Sequence, residues 1–262
     1  MPRHECRPRS VVIHADDVGM CEATVSALED LMSIGIISSA SLMVPCPWFG
    51  AAAEWFREHP DVDVGVHITL TSEWKHYRWK PVSTLDPASG LLDAAGFLPR
   101  TTADLRQTAQ PRAAAAEARA QVDALRRYGI EPTHIDAHMH AFAQLFPREY
   151  LGLANTLRVP ARSVPPFNHV EGTPNSGYVE DRLQTVMDIF SGLPEGLSCV
   201  YLHPARDTPE LRSIVPAWRY RVADWLVFQD PRLKKHLGKQ RIRIVTYREL
   251  AGILPQKPAA KD

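Results

Sequence analysis

Apolar and polar positions alternate in blocks along this chain. Val11, Val12 and Ile13 form an unbroken branched run, the pattern of a short strand buried on both faces. Val25, Leu28, Leu31 and Met32 then recur at helical spacing, and Gly35 stands where such a helix closes. The β-branched and small residues of 36–44 predict a second strand, ended by Pro45. A short helix is expected over 48–58, stopped at His59-Pro60. Val62, Val64 and Val66 alternate with polar or small residues, a third strand running into His67. Residues 71–100 show no period and read as a long functional loop. The alanine-rich segment 111–128, with Ala118, Val122 and Leu125 on one side, predicts a helix closed by Gly129. Short strands are expected over 130–136, 157–162 and 197–202, with a loop over 164–175 and a helix over 182–190. The pattern closes with a helix over 218–228 carrying a strong apolar face, a last strand marked by Ile242, Ile244 and Thr246, and a short helix from Arg248.

Strands alternating with helices imply an α/β fold with a parallel sheet and helices outside. The polar residues choose the variant. Asp16 and Asp17, His67, Asp136 and His138, and His203 fall at the ends of different strands. In a (β/α) barrel those ends converge on one face, which carries the site. The expectation is a distorted, TIM-barrel-like (β/α) barrel of about seven parallel strands. One catalytic domain is expected over 11–250, between a flexible N-terminus at 1–10 and a tail at 251–262.

Composition narrows the class. The 262 residues suffice for one large core. The 30 basic and 30 acidic residues balance, which argues against a nucleic-acid partner. No apolar run is long enough to span a membrane, and the polar start lacks a secretory core, so a cytoplasmic location is expected. The four cysteines (Cys6, Cys21, Cys46, Cys199) form no CxxC pair and read as reduced thiols, with Cys199 in the core. The helix surfaces show no decisive apolar stripe, which leaves a homodimer open.

Chemistry enters with the eleven histidines and the Asp pair. Asp16 and Asp17 at the end of a buried strand read either as a helix N-cap or as a site whose charge a cation or a reaction neutralises. His134, Asp136, His138 and His140 occupy alternate positions, which puts them on one side if the segment is extended. The alternative for that row is a solvated polar loop. One Asp and two His suit Zn²⁺ with a position open for water, and other divalent ions fit as well. The second carboxylate of the pair is then free to act as a base. Trp74, Tyr77 and Trp79 either stack on sugar rings or form a satellite core under the long loop.

Four segments, in order, resemble the YdjC-like carbohydrate deacetylases, the family that includes chito-oligosaccharide deacetylase. They are Ala15-Asp16-Asp17-Val18-Gly19, Gly65-Val66-His67-Ile68-Thr69-Leu70-Thr71, Pro132-Thr133-His134-Ile135-Asp136-Ala137-His138 and Leu202-His203-Pro204. Thr246-Tyr247-Arg248-Glu249-Leu250 resembles the family's closing motif. The resemblance implies a distorted (β/α) barrel and one divalent metal ion, Zn²⁺ or Mg²⁺, held by Asp17, His67 and His138. It implies Asp16 as general base, His203 as general acid or substrate contact, and Asp136 orienting a ligand histidine from behind. His134, His140 and Trp74 are further candidates to support the site or touch substrate. Val18 stands where an aromatic is common in the family, Met139 where a histidine is, and Ala205 where a glycine is. These departures bear on the substrate more than on the chemistry.

The implied activity is removal of an acetyl group from an N-acetylated sugar, a small saccharide free or lipid-linked. The alternatives are another metal-dependent ester, amide or phosphoester hydrolase, and a non-catalytic carbohydrate-binding protein. A phosphate site would call for a basic cluster, to which Arg158 and Arg162 are the candidates.

Overall fold

The strand that carries the Asp pair is the axis of the molecule. In the computed structural model, which describes residues 8–162, 164–168, 170, 173 and 179–251, β1 (Arg9–Val18) has partners along both sides. The other strands are β2 (Ser39–Leu42), β3 (Asp63–Ile68), β4 (Ile135–Ala137), β5 (Phe167–Asn168), β6 (Gly196–Leu202) and β7 (Arg243–Ile244). Their order is β4-β3-β2-β1-β6-β5, with β7 also on β1, and the pairings are parallel. β6 runs beside β1 from Arg9 to Ala15. On the other side β7 takes Ser10 and Val11, and β2 takes over from His14. The sheet curls into a distorted barrel with helices outside, as the strand–helix alternation predicts.

The helices are α1 (Glu22–Ile34), α2 (Phe49–Glu58), α3 (Thr102–Thr108), α4 (Pro111–Arg127), α5 (Ala141–Leu145), α6 (Pro147–Leu157), α7 (Val179–Ser191), α8 (Pro209–Ile214), α9 (Trp218–Gln229), α10 (Pro231–Lys239) and α11 (Tyr247–Leu250). Gly35 ends α1 in the left-handed region at φ 67°, the cap expected of it. Thr246 and Glu249 cap α11 reciprocally.

Parallel register fixes which residues share a face. Val12, His14 and Asp16 lie on one face of β1. His14 pairs with Ser39 and Tyr201, Ser41 with Gly65, and His67 with Asp136. This inward face is unusually polar for a barrel. Its floor is a small apolar cluster of Val12, Cys199, Val245, Tyr247 and Leu250. The other face of β1, with Val11, Ile13 and Ala15, joins the main core under the helices. Burial on both sides explains the unbroken Val11–Ile13 run.

Several expectations are corrected. Residues 157–162 do not form a strand: α6 runs to Leu157, and only a single bridge joins Ala161 to Ile135. β4 covers three residues rather than the whole of 130–136. α9 buries Arg221 and Asp224 beside Val222, Ala223, Val227 and Phe228, so its inward face is not simply apolar. Cys6 and most of both tails lie outside the described residues, as does part of 164–175. Cys21, Cys46 and Cys199 are buried free thiols.

Candidate active site

A bulge shapes the end of β1. Ala15 pairs with Ala40 and Val18 with Leu42, so three steps on β1 match two on β2. The extra residue is absorbed by Asp17, whose φ is 59°, a left-handed conformation uncommon for a residue with a side chain. A regular strand would turn neighbouring side chains to opposite faces. The bulge instead brings both carboxylates to one cavity of about 890 Å³ at the C-terminal strand ends. Neither Asp caps a helix; Cys21 holds the N-cap position of α1.

Asp17 is the centre of this cavity. Its Oδ1 accepts from His138 Nδ1 at 2.9 Å and lies 3.2 Å from His67 Nε2. Its Oδ2 accepts from Arg221 Nη2 at 2.6 Å. Burial alone would raise the Asp17 carboxyl, but Arg221 and His138 outweigh it and hold it well below the carboxylate range. Asp16 faces Arg162, whose Nη1 and Nη2 donate to its two oxygens at 2.5 and 2.8 Å. This bidentate clamp overcomes the cost of burial and keeps Asp16 ionised, below its ordinary pKa.

The histidine row does not run as one extended strand. After β4 the chain turns through a 3₁₀ segment, His138–His140, in which Met139 and His140 take left-handed conformations. His138 and His140 therefore face the cavity, while His134 is fully buried below it and does not line it. Asp136 lies beneath His67 and accepts from its Nδ1 at 2.7 Å. Burial disfavours charge on His67, yet Asp136 and Asp16 outweigh it and lift its pKa to about 9. At His138, Glu73 and Asp17 likewise outweigh burial and lift it to about 10.

Those two raised values report how strongly the cluster attracts positive charge. Asp17, His67 and His138 each offer a ligand atom, and the three atoms lie within 4.8 Å of one another. Two imidazoles and a carboxylate, buried and surrounded by Asp136 and Glu73, fit a divalent cation that would take the place of the two protons. His203, at the end of β6, lines the same cavity, with Nε2 3.9 Å from Asp16 Oδ2. Burial lowers its pKa, so it rests neutral at pH 7. Asp224 accepts from the His203 backbone N–H at 2.9 Å and from Arg182 Nε at 2.9 Å, which fixes where the ring enters.

Trp74 packs into the core, buried against Trp79 with ring centres 5.4 Å apart, and also reaches the cavity. Of the two arginines proposed to converge on the strand ends, Arg162 does and Arg158 is not in the cavity lining. Sequence reasoning missed Glu73, Ser41, Arg221 and His14. Glu73 and Arg221 had no signal of their own, since each is one of several charged residues in its segment, Glu73 in the aperiodic 71–100 loop and Arg221 in an amphipathic helix. Ser41 and His14 had one: both fall on the inward parity of a strand.

A family model described as "YdjC-like protein" matches residues 10–239. The chain belongs to the YdjC-like family. This YdjC-like chain is 31% identical over 256 residues to a carbohydrate deacetylase of Thermus thermophilus, covering 88% of this chain and 90% of that one. It is 28% identical to a carbohydrate deacetylase of Geobacillus stearothermophilus, covering 92% and 98%. A crystal structure from Enterococcus faecalis, of a protein proposed to cleave cellobiose phosphate, superposes with a TM-score of 0.80 at 20% identity, over 93% of this chain and 99% of that one. That likeness supports the fold. Among the described residues, no helix is long and apolar enough to cross a membrane.

Proposed function

We propose that this protein is a metal-dependent carbohydrate deacetylase, which hydrolyses the acetamido group of an N-acetylated sugar to acetate and the free amine. One observation carries the reading. A three-donor cluster of Asp17, His67 and His138 and an Asp16–His203 pair face the same cavity. A protein that only binds saccharide has no use for the second pair.

In this reading Asp17, His67 and His138 hold the ion. Two imidazole donors favour Zn²⁺ over Mg²⁺. When bound, the ion supplies a Lewis acid beside the scissile carbonyl and makes a neighbouring water more acidic. Asp16 is the general base. The Arg162 clamp keeps it anionic and aims it, at some cost to its basicity. His203 is neutral at rest, with Nε2 3.9 Å from Asp16 Oδ2; it would take over the proton that Asp16 removes from water and deliver it to the departing amine, returning to its neutral form. Trp74 offers an aromatic wall to the sugar ring.

The phosphoester alternative is weaker. Both guanidiniums in the cavity are engaged by carboxylates, Arg162 by Asp16 and Arg221 by Asp17, and Glu73 adds a further acid. The deciding experiment is an acetate-release assay over N-acetylated saccharides, with chelator and then with Zn²⁺ or Mg²⁺ restored. Turnover lost with chelator and regained with metal is expected. Metal-loaded protein that releases acetate from none of them overturns the reading.

A further inference from the structure

His14, just ahead of the Ala15–Gly19 segment, and Gly65, His134 and Tyr247, within the family-like segments, stand outside the cavity. His14, His134 and Tyr247 are fully buried under its floor. We propose that His14 and His134 are positioning residues that act through Asp136 on His67, fixing which nitrogen of His67 faces the metal. This rests on the reading of Asp17, His67 and His138 as ligands.

The hydrogen bonds determine each proton in turn. Thr133 Oγ1 donates to the Val64 carbonyl at 3.1 Å, so it is left to accept from His134 Nδ1, 3.0 Å away. His134 Nε2 is then a bare lone pair. It lies 3.0 Å from His14 Nε2, which must therefore carry a hydrogen. Asp136 demands the same hydrogen, because its Oδ2 lies 3.0 Å from that nitrogen, and a lone pair there would oppose an ionised carboxylate. Ser41 Oγ donates to the same oxygen at 3.0 Å. With Oδ2 so occupied, Oδ1 is the oxygen that accepts from His67 Nδ1. His67 Nε2 is thereby turned to Asp17 and the cluster above.

Packing holds the column in place. Tyr247 stacks on His134, with ring centres 3.9 Å apart and planes 16° from parallel. His14 meets both rings edge-on, at 4.8 and 5.9 Å. Gly65 supplies the space on the far side, since a Cβ there would lie 2.4 Å from His134 Nε2. The ring is thus confined by Tyr247 and the Gly65 backbone. These contacts give the closing Tyr247 and the early Gly65 a common purpose with the site.

Two measurements test the proposal. Ring ¹⁵N spectra of the full chain should show hydrogen on His14 Nε2 and on His134 Nδ1, with Zn²⁺ or with chelator. Zn²⁺ affinity, read by competition with a chromophoric chelator, should fall about 10–100-fold in His14→Met. His14→Gln, whose amide N–H reaches the same place, should recover most of that loss. Hydrogen on His14 Nδ1 overturns the proposal, and so does unchanged affinity in His14→Met or equal loss in the Met and Gln variants. If His14→Met does not fold, the wild-type spectra decide. Wild-type protein that binds neither Zn²⁺ nor Mg²⁺ removes the ligand reading itself, a different failure from wild-type binding that is indifferent to His14.

Discussion

Arg221 Nη2 donates to Asp17 Oδ2 at 2.6 Å, across 204 positions of sequence. The contact divides the Asp17 carboxylate. Oδ2 belongs to α9, and Oδ1 is left to face His67 and His138. The candidate ligand is thus held by an element whose sequence looks like any amphipathic helix.

Removing that partner should leave a buried charge unpaired. Arg221→Met is expected to destabilise the chelated protein by about 3–5 kcal/mol. Urea unfolding with chelator and with Zn²⁺ measures it. The loss should shrink when Zn²⁺ is present, because the ion supplies positive charge at the other oxygen of Asp17.

The two aspartates should separate by role. Asp16→Asn should lower acetate release by about 10²–10⁴-fold, the ordinary worth of a general base, and leave Zn²⁺ affinity nearly intact. Asp17→Asn should lose the metal. Calorimetric titration of both variants, beside the acetate assay, checks the split. Loss of metal in Asp16→Asn would reverse the assignment.

Protons and metal compete for the two imidazoles. His67 and His138 bind protons more tightly in the folded chain, at about 9 and 10, than at the ordinary 6.5. That stabilisation is complete below about pH 6.5 and disappears as pH rises through 9 to 10. The chelated protein should therefore lose stability steadily over that window, seen as a falling urea midpoint. Zn²⁺ binding at pH 7 should release protons, visible as a dependence of the titration heat on the buffer's ionisation enthalpy.

Gly65→Ala should lower stability by about 1–3 kcal/mol, the cost of overpacking a site that cannot relax. A Cβ 2.4 Å from the ring of His134 has nowhere to go while Tyr247 closes the other side. Thermal unfolding of the variant measures the effect. An unchanged midpoint would mean that the ring is free to move.

Much of the fold could be read from local pattern. Val11–Ile13 declared a strand buried on two faces, Gly35 closed α1 where expected, and the alanine-rich helix ended at Arg127, just before Gly129. The weakest expectations concerned segments whose partners lie far away. A strand was expected over 157–162, but α6 ends at Leu157 and only a single bridge joins Ala161 to Ile135. The row from His134 to His140 looked like one face, and a left-handed turn divided it between the barrel floor and the cavity.

Strand–helix order and the residue types that gather at the strand ends are legible along the chain, because periodicity and side-chain chemistry are local properties. The tertiary structure alone decided which groups neutralise which. Asp16 met Arg162, Asp17 met Arg221, and His14 met His134, each pair brought together by strand register or helix docking rather than by spacing. Even the adjacency of Asp16 and Asp17 needed the bulge against β2, which turned both carboxylates into one cavity. Charges buried this deeply must find opposite charges or donors, and a barrel supplies them from strands that the chain visits far apart.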